Sequence, residues 1–170
     1  MVKKLGGLAA ALVTGALTLV AFTGTAAHAG TVTPMVTKLS QSAAASQLRS
    51  AGVTWSSSGN CTDRNNAHCT SFEQINQSTV SGVITLKRAS GCAINITGGT
   101  ETGHASGTYS HWNGYKVDIS HNSCIDSYIK NSFSYIGLRG DGYPQWKAPS
   151  GNLYCDEGNH WDITYYTCGC

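Results

Sequence analysis

Two short segments of the chain combine imidazole and carboxylate side chains at spacings that suit a metal site. The first is SHWNGYKVD at residues 110–118, and the second is EGNHWD at residues 157–162. Two His and one Asp are donors that zinc accepts, and such a set leaves a fourth coordination position open for water, as in catalytic zinc sites. We therefore predict a zinc site formed by His111, Asp118 and His160.

A second carboxylate stands next to the predicted ligands. Glu157 lies three residues before His160 in the same segment. A carboxylate close to an activated water can take its proton as a general base. The sequence therefore predicts hydrolytic chemistry, with Glu157 as the base.

The spacing within the first segment needs a break in regular structure. His111 and Asp118 are seven residues apart, and an odd separation along one strand places two side chains on opposite faces. A turn or bulge near Asn113-Gly114 must therefore redirect the chain, and Gly114 has the backbone freedom for it.

Together the two segments resemble a known family. The pattern Ser-His-x-x-Gly-x-x-x-Asp, followed later by Glu-x-x-His, is similar to the zinc D-alanyl-D-alanine carboxypeptidases and dipeptidases. These are bacterial cell-wall metallopeptidases that share a fold with the hedgehog signalling domain. The resemblance covers residues 40–166. It implies one zinc ion per chain held by His111, Asp118 and His160, Glu157 as catalytic base, and the stem peptides of peptidoglycan as substrate.

The chain departs from this family at one functional position. The family carries an Arg shortly after a strand that ends in Thr-Ser-Gly, where it stabilises the oxyanion. Here the strand ends in TGGTE at residues 97–101, so Glu101 stands where that Arg is expected. We expect His104 to donate to the oxyanion instead, with Arg139 as a more distant alternative. Glu101 is then a candidate for binding an amino group of the substrate.

Three aromatic residues flank the predicted ligands. Tyr109, Trp112 and Trp161 are each within two residues of a predicted His ligand. Aromatic side chains can form the walls of a cleft for a peptide or a sugar, although packing in a small core is the alternative role. We predict that these three contact the substrate.

The elements that must position these residues indicate an α+β domain. Apolar residues at helical spacing predict helices at 40–51 and 125–133, and a third that begins at a capping box of Thr70 and Glu73 and ends at Ser90-Gly91. Alternating and turn-bounded segments predict strands at 92–97, 115–119, 135–138, 143–147, 152–155 and 160–166. Helices come first and strands later, which predicts helices packed on a mostly antiparallel sheet. The resemblance implies the hedgehog/DD-peptidase type of that architecture.

The N-terminal residues have the pattern of an export signal. Lys3 and Lys4 precede an apolar stretch, which ends in the Ala27-His28-Ala29 cleavage pattern. A membrane anchor is the alternative, because the apolar stretch is nearly long enough to cross a bilayer. We predict a signal peptide at 1–29, an extended leader at 30–39 and one domain at 40–170, secreted to the cell wall.

Seven Cys residues follow the predicted signal. In an oxidising compartment most of them should form disulfides, which stabilise a domain with a small core. Cys61 with Cys69 is the short-range candidate pair, and Cys92 with Cys124 could join a strand to a helix. The sequence does not determine the connectivity, and an odd number leaves one Cys without an intramolecular partner.

The charge balance argues against nucleic acid as a partner. Eleven Lys and Arg residues stand against nine Asp and Glu, and two of the eleven belong to the predicted signal. A near-neutral mature chain has no basic groove, which disfavours a metal-dependent nuclease built around Gly103-His104. We expect a monomer without a membrane partner. A zinc-stabilised binding or structural module without catalysis is the alternative from another functional class.

Overall fold

The computed structural model describes residues 36–166, which contain three helices and nine strands. The helices are α1 (Gln41–Ser50), α2 (Gln77–Ser90) and α3 (Ser123–Ser132). The strands are β1 (Lys38–Leu39), β2 (Thr54–Trp55), β3 (Ile75–Asn76), β4 (Asn95–Gly98), β5 (Lys116–Ser120), β6 (Ser134–Leu138), β7 (Pro144–Lys147), β8 (Leu153–Asp156) and β9 (His160–Thr164). The predicted signal peptide, most of the predicted leader and the last two Cys residues lie outside this range. None of the helices within it is long and apolar enough to cross a membrane.

Helices α1 and α3 begin at polar caps, as the sequence favours. The Ser40 hydroxyl accepts a hydrogen bond from the Ala43 amide, and the Asn122 side chain accepts one from the Ile125 amide. Helix α2 ends at Gly91, whose φ of 68° is the left-handed conformation that glycine adopts without strain. These local signals explain why the predicted and observed ends of α1, α2 and α3 agree to within a few residues, apart from the start of α2.

The predicted start of α2 is wrong, because the capping box does not form. The Thr70 hydroxyl donates to the backbone carbonyls of Ser56 and Thr97. The Glu73 carboxylate accepts from the Gln41 amide at 2.7 Å. Both side chains are therefore engaged by distant parts of the chain, and the helix begins only at Gln77.

Seven of the strands form one mixed sheet in the order β2-β4-β5-β9-β8-β7-β6. β2 and β4 are parallel, and the other neighbouring pairs are antiparallel. The α+β class is confirmed, and the sheet is mixed. Its first pair is parallel, and along edge strand β6 the side chains of Tyr135, Ile136 and Leu138 are exposed rather than covered by helices.

Alternation along the central strands β5 and β9 separates the core from a polar face. The apolar residues of this pair are fully buried in one core cluster with residues of all three helices: Val117, Ile119, Trp161 and Ile163. The residues between them point to the opposite face of the sheet: Lys116, Asp118, His160 and Asp162. The helix-covered face therefore provides the core, and the other face is free to carry a site.

Two disulfides brace the fold. Cys61 bonds to Cys69, and Cys92 bonds to Cys124, which ties the segment before β4 to α3. Both candidate pairs are confirmed. Cys155 in β8 is a buried free thiol. Disulfides of this kind indicate an oxidising location such as the cell exterior.

Candidate metal centre

The three predicted ligands converge on one carboxylate oxygen. Asp118 Oδ1 lies 3.2 Å from His111 Nε2 and 3.6 Å from His160 Nε2. His160 and Asp118 project from the same face of the adjacent strands β9 and β5, whereas His111 comes from the loop that precedes β5. Residues far apart in the chain thus meet around Asp118. His160 lies outside the set whose ligand atoms are all within 4.8 Å of one another, which consists of His104, His111 and Asp118.

In both His111 and His160, a contact of the Nδ1 atom orients the imidazole ring. His111 Nδ1 donates to the Gly99 carbonyl at 2.8 Å, and His160 Nδ1 lies 2.6 Å from the Asn159 side-chain oxygen. A ring that donates from Nδ1 leaves Nε2 available to a metal, and such outer contacts are usual around His ligands. The two Nε2 atoms therefore face the centre in the tautomer that a metal requires.

The turn that the odd spacing demanded is present. Residues 101–114 form turns and loops, and β5 begins only at Lys116. Gly114 has a φ of 75°, and a Cβ there would lie 2.6 Å from the Gln74 carbonyl oxygen. Only glycine fits this position without strain, so Gly114 redirects the chain between His111 and Asp118.

The electrostatics of the centre suit a cation. Asp118 and His111 are only 6% and 4% exposed. Burial raises the pKa of Asp118, but the close approach and charge of His111 and the nearby charges of His160 and His104 outweigh it, so the pKa lies below its usual value. Burial lowers the pKa of His111, but the close approach and charge of Asp118 outweigh it and raise that pKa. An ionised Asp118 carboxylate suits a bound cation.

An unpaired buried oxygen supports the fit of a metal to these residues. Within residues 36–166, no hydrogen bond of acceptable geometry reaches Asp118 Oδ1, although the atom is buried. Buried polar atoms without a partner are uncommon in folded proteins and call for an explanation such as an ion. His104, His111 and Asp118 also present ligand atoms that all lie within 4.8 Å of one another. This part of the site could hold a metal ion.

No protein-family model, curated protein or solved structure matches this chain.

Glu157 lies beside the centre with an Arg partner. Its Oε2 atom is 3.4 Å from His160 Nε2, and its Oε1 atom accepts a hydrogen bond from Arg139. Arg139 follows β6 and also donates to Asp162 Oδ2 at 2.9 Å. The residue treated as a distant alternative from sequence thus lies in the site, in contact with the predicted base.

A cavity of about 530 Å³ opens over this group of residues. Its walls include the predicted ligands, the predicted base and its cationic neighbours: His111, Asp118, His160, Glu157, Arg139 and Lys116. Its size is within the range of small-ligand sites. The predicted ligands therefore border a cavity of the size that takes a small ligand.

Sequence reasoning missed two residues of the site, Lys116 and Asp162. Lys116 Nζ donates to Asp162 Oδ2 at 2.6 Å, and Asp162 Oδ1 lies 3.9 Å from His111 Nε2. Each is two residues from a predicted ligand on the same strand. Strand alternation, applied to Asp118 and His160, would have found both.

The aromatic residues divide between core and surface. Trp161 is fully buried, and its indole N–H donates to Asp126, so the prediction that it contacts substrate is wrong. Strand alternation explains this, since Trp161 must point away from the face that carries His160. Tyr109 and Trp112 are 45% and 44% exposed and line two smaller cavities that share residues with the main one. Their role in substrate contact stays a prediction.

Glu101 does not lie where a substrate can reach it. Its side chain is only 3% exposed, and its oxygens accept hydrogen bonds from the Ser71 and Gly99 amides. The prediction that it binds a substrate amino group is wrong on this geometry, because its acceptor capacity is used within the protein. The predicted donor His104 is next to it, at 3.2 Å.

Acid should destabilise the apo-protein partly through Glu101. Burial raises the pKa of Glu101, but hydrogen bonds from His104, Ser71 and Gly99 outweigh it, so the pKa lies below the usual 4.5. A carboxyl with a lowered folded pKa stabilises the fold above the unfolded value, and this contribution is lost as pH falls through the folded pKa. With chelator present, urea unfolding of Glu101→Gln should therefore show a weaker decline in the free energy of unfolding below pH 4.5 than the unmodified protein. Equal declines would contradict the assignment.

Gly98 should support metal binding through Asp118. It pairs with Asp118 across β4 and β5, and a Cβ there would lie 2.4 Å from Asp118 Oδ2. We expect Gly98→Ala to displace the carboxylate and weaken zinc binding about 10- to 100-fold, the loss typical of disturbed ligand support. Titration against a competing chelator measures it. Gly140→Ala is the matched control, because a Cβ there meets open space. Unchanged affinity in Gly98→Ala would show that the carboxylate does not bind the metal.

Proposed function

We propose that this chain is a secreted zinc-dependent peptidase that hydrolyses peptide bonds of peptidoglycan stem peptides in the manner of a D-Ala-D-Ala carboxypeptidase or endopeptidase. The observation that carries the proposal is that His111 and His160 both lie close to the buried Asp118 carboxylate, with the Glu157 carboxylate beside His160. Two imidazoles, one carboxylate and a further carboxylate that is not a ligand are the parts of a catalytic zinc site.

We further propose that the fold is of the hedgehog/DD-peptidase type. Two helices precede the strand β4, a long loop then carries His111, and the final strand β9 carries His160. This order is the one that the sequence resemblance implies.

The protein's own residues divide the chemistry among them. His111, Asp118 and His160 would hold zinc, which when bound lowers the pKa of a coordinated water and polarises the peptide carbonyl. Glu157 accepts the proton of the attacking water and passes it to the leaving amine. Arg139 lines the cavity and can donate a hydrogen bond to the oxygen of the tetrahedral intermediate, whereas the ring of His104 already donates to Glu101.

Arg139 takes the role of the family's Arg, which is expected at a different position in the sequence. Its guanidinium contacts both Glu157 and Asp162, so it is fixed next to the base. An Arg in this position orients the Glu157 carboxylate, and it lines the cavity itself. This contact supports the proposal despite the Glu at position 101.

The proposal is tested by incubating the purified mature protein, residues 30–170, with muropeptides and identifying the products by mass. We expect cleavage within the stem peptides, loss of cleavage with a chelator and recovery on adding zinc. Zinc-loaded protein that leaves all stem peptides intact would overturn the peptidase function.

A non-catalytic, zinc-stabilised binding module is the second candidate. The contact between Arg139 and Glu157 favours this second candidate, because a carboxylate that pairs with an Arg can have a purely structural role. In that case zinc should raise the melting temperature while no muropeptide is cleaved. Cleavage that depends on Glu157 would exclude this alternative.

A further inference from the structure

Glu101 fixes the orientation of the His104 ring. The Glu101 carboxylate is buried, and it accepts hydrogen bonds from the amides of Ser71 at 2.7 Å and Gly99 at 2.9 Å. It is ionised at neutral pH, because its pKa lies below the usual 4.5. An ionised carboxylate can only accept, so His104 Nε2, which lies 3.2 Å from Glu101 Oε1, carries the ring hydrogen and donates it. The other ring nitrogen, Nδ1, therefore presents a lone pair.

This lone pair faces a carboxylate oxygen. His104 Nδ1 lies 3.7 Å from Asp118 Oδ2, which is too far for a hydrogen bond, and neither atom has a hydrogen to share. The His104 ring also stacks on His111, with centroids 3.8 Å apart and planes inclined by 15°. The ligand atoms of these three residues all lie within 4.8 Å of one another. Zinc ligands lie about 2.1 Å from the ion, so small shifts would bring all three atoms onto one ion.

The loop that carries His104 is held by the segment that the Cys61–Cys69 disulfide closes. The Thr102 amide donates to the Arg64 carbonyl at 2.8 Å, and Arg64 Nε donates to the Thr100 carbonyl at 3.2 Å. The His104 side chain is 27% exposed, so an ion can reach it from solvent although the backbone around it is fixed. A side chain that is already oriented loses little conformational freedom when it binds a ligand.

We propose that His104 is a fourth protein ligand of the predicted zinc ion, bound through Nδ1, and that Glu101 is the outer carboxylate that orients it. Carboxylate–His–zinc triads are common in metal sites, because the carboxylate fixes the tautomer and raises the basicity of the ring. The inference rests on the zinc site of the proposed function and adds a ligand to it. Three imidazoles and one carboxylate leave a fifth position for water, as in catalytic zinc sites that become five-coordinate.

This role accounts for the departure from the family at position 101. An Arg there would place a positive charge beside the ion, whereas Glu101 supports a neutral imidazole that can bind it. A ring that donates from Nε2 and binds zinc through Nδ1 has no hydrogen left for a substrate oxygen. The predicted role of His104 as the oxyanion donor is therefore wrong on this geometry, and Arg139 is the donor that lines the cavity.

Zinc affinity tests the additional ligand without any activity. We expect Glu101→Gln to weaken zinc binding about 10- to 100-fold, the loss typical of an outer partner, and His104→Gln to weaken it at least as much. The double variant should bind zinc as His104→Gln does, since a residue that acts through another adds nothing once that one is gone. Competition with a chelator measures the affinities, and circular dichroism checks that each variant is folded. The matched control is His68→Gln, because His68 is also an exposed loop imidazole but is not part of the cavity wall.

A crystal structure of the zinc-loaded protein locates the ligand directly. We expect one ion per chain, identified by its anomalous scattering, with His104 Nδ1 about 2.0–2.1 Å from it. In cobalt-substituted protein, the visible absorption bands report the number and geometry of the ligands. They should change in His104→Gln and stay the same in His68→Gln. A His104 ring beyond coordination distance, or a second ion that His104 binds apart from the first, would overturn the proposal.

The outcomes separate this inference from the function on which it rests. If the protein cleaves muropeptides and His104→Gln keeps its zinc affinity, the ligand role fails and the peptidase function stands. If the losses of Glu101→Gln and His104→Gln add in the double variant, Glu101 does not act through His104, and its role fails. If His104 binds zinc but no muropeptide is cleaved, the peptidase function fails and the ligand role stands. A protein that binds no zinc would overturn both.

Discussion

Replacing Glu157 with Gln should lower kcat for stem-peptide cleavage by about 10²- to 10⁴-fold, the usual contribution of a general base, while zinc stays bound. Gln keeps the size of the side chain but cannot accept the proton of water. Glu157 lies 3.4 Å from His160 Nε2 yet is not one of the predicted ligands, so the metal should be retained. Steady-state kinetics and zinc analysis of the same sample measure both quantities.

The control for Glu157 is Asp141→Asn. Asp141 also pairs with Arg139, but it is 47% exposed and makes no contact with the predicted ligands among the described residues. Removing its charge should change kcat little. Comparable losses in both variants would show that the Arg139 network, and not a base, limits the reaction. Full activity of Glu157→Gln would remove Glu157 from the mechanism.

Replacing Asp118 with Asn should empty the metal site and abolish cleavage. Asp118 is the residue on which both predicted His ligands converge, and its buried charge is the one that favours a dication there. We expect zinc affinity to fall by more than about 100-fold, beyond the loss seen when only the support of a ligand is disturbed. A ligand that binds only the folded state raises its stability. Zinc should therefore raise the melting temperature of the unmodified protein but not that of Asp118→Asn.

Asp126→Asn is the matched control for this prediction. Asp126 also pairs with an imidazole, that of His121 at 2.8 Å, but it belongs to α3 on the core side of the sheet. Its loss should leave zinc affinity unchanged. An Asp118→Asn protein that still binds zinc tightly would shift the site to His104 and His160 and would contradict the ligand set.

Much of the site could be predicted because its residues follow local rules. The separation between His111 and Asp118 demanded a turn, and Gly114 supplies it with a positive φ. Strand periodicity located β5 and β9 to within two residues at each end, and with them Asp118 and His160. Patterns that depend only on neighbouring residues were therefore sufficient to place these side chains near one another.

The failures arose where long-range contacts override local preference. Thr70 and Glu73 have the pattern of a helix start, but each finds a partner elsewhere in the chain. Glu101 was expected to face a substrate, yet it is buried and accepts hydrogen bonds from the amides of the distant Ser71 and of Gly99. Trp161 was assigned to the cleft although its neighbour His160 already occupies that face. Side-chain burial and pairing between distant segments depend on the whole fold, which one sequence does not specify.

The division of β5 and β9 into two faces makes the chemistry separable from folding. Every second residue of these strands belongs to the core, and the residues between them contribute little to it. Variants at positions 116, 118, 160 and 162 should therefore remain folded and crystallisable, even when they are inactive. The same scaffold could accept a different set of donors on its open face and bind another metal, because the helices behind the sheet would not be disturbed.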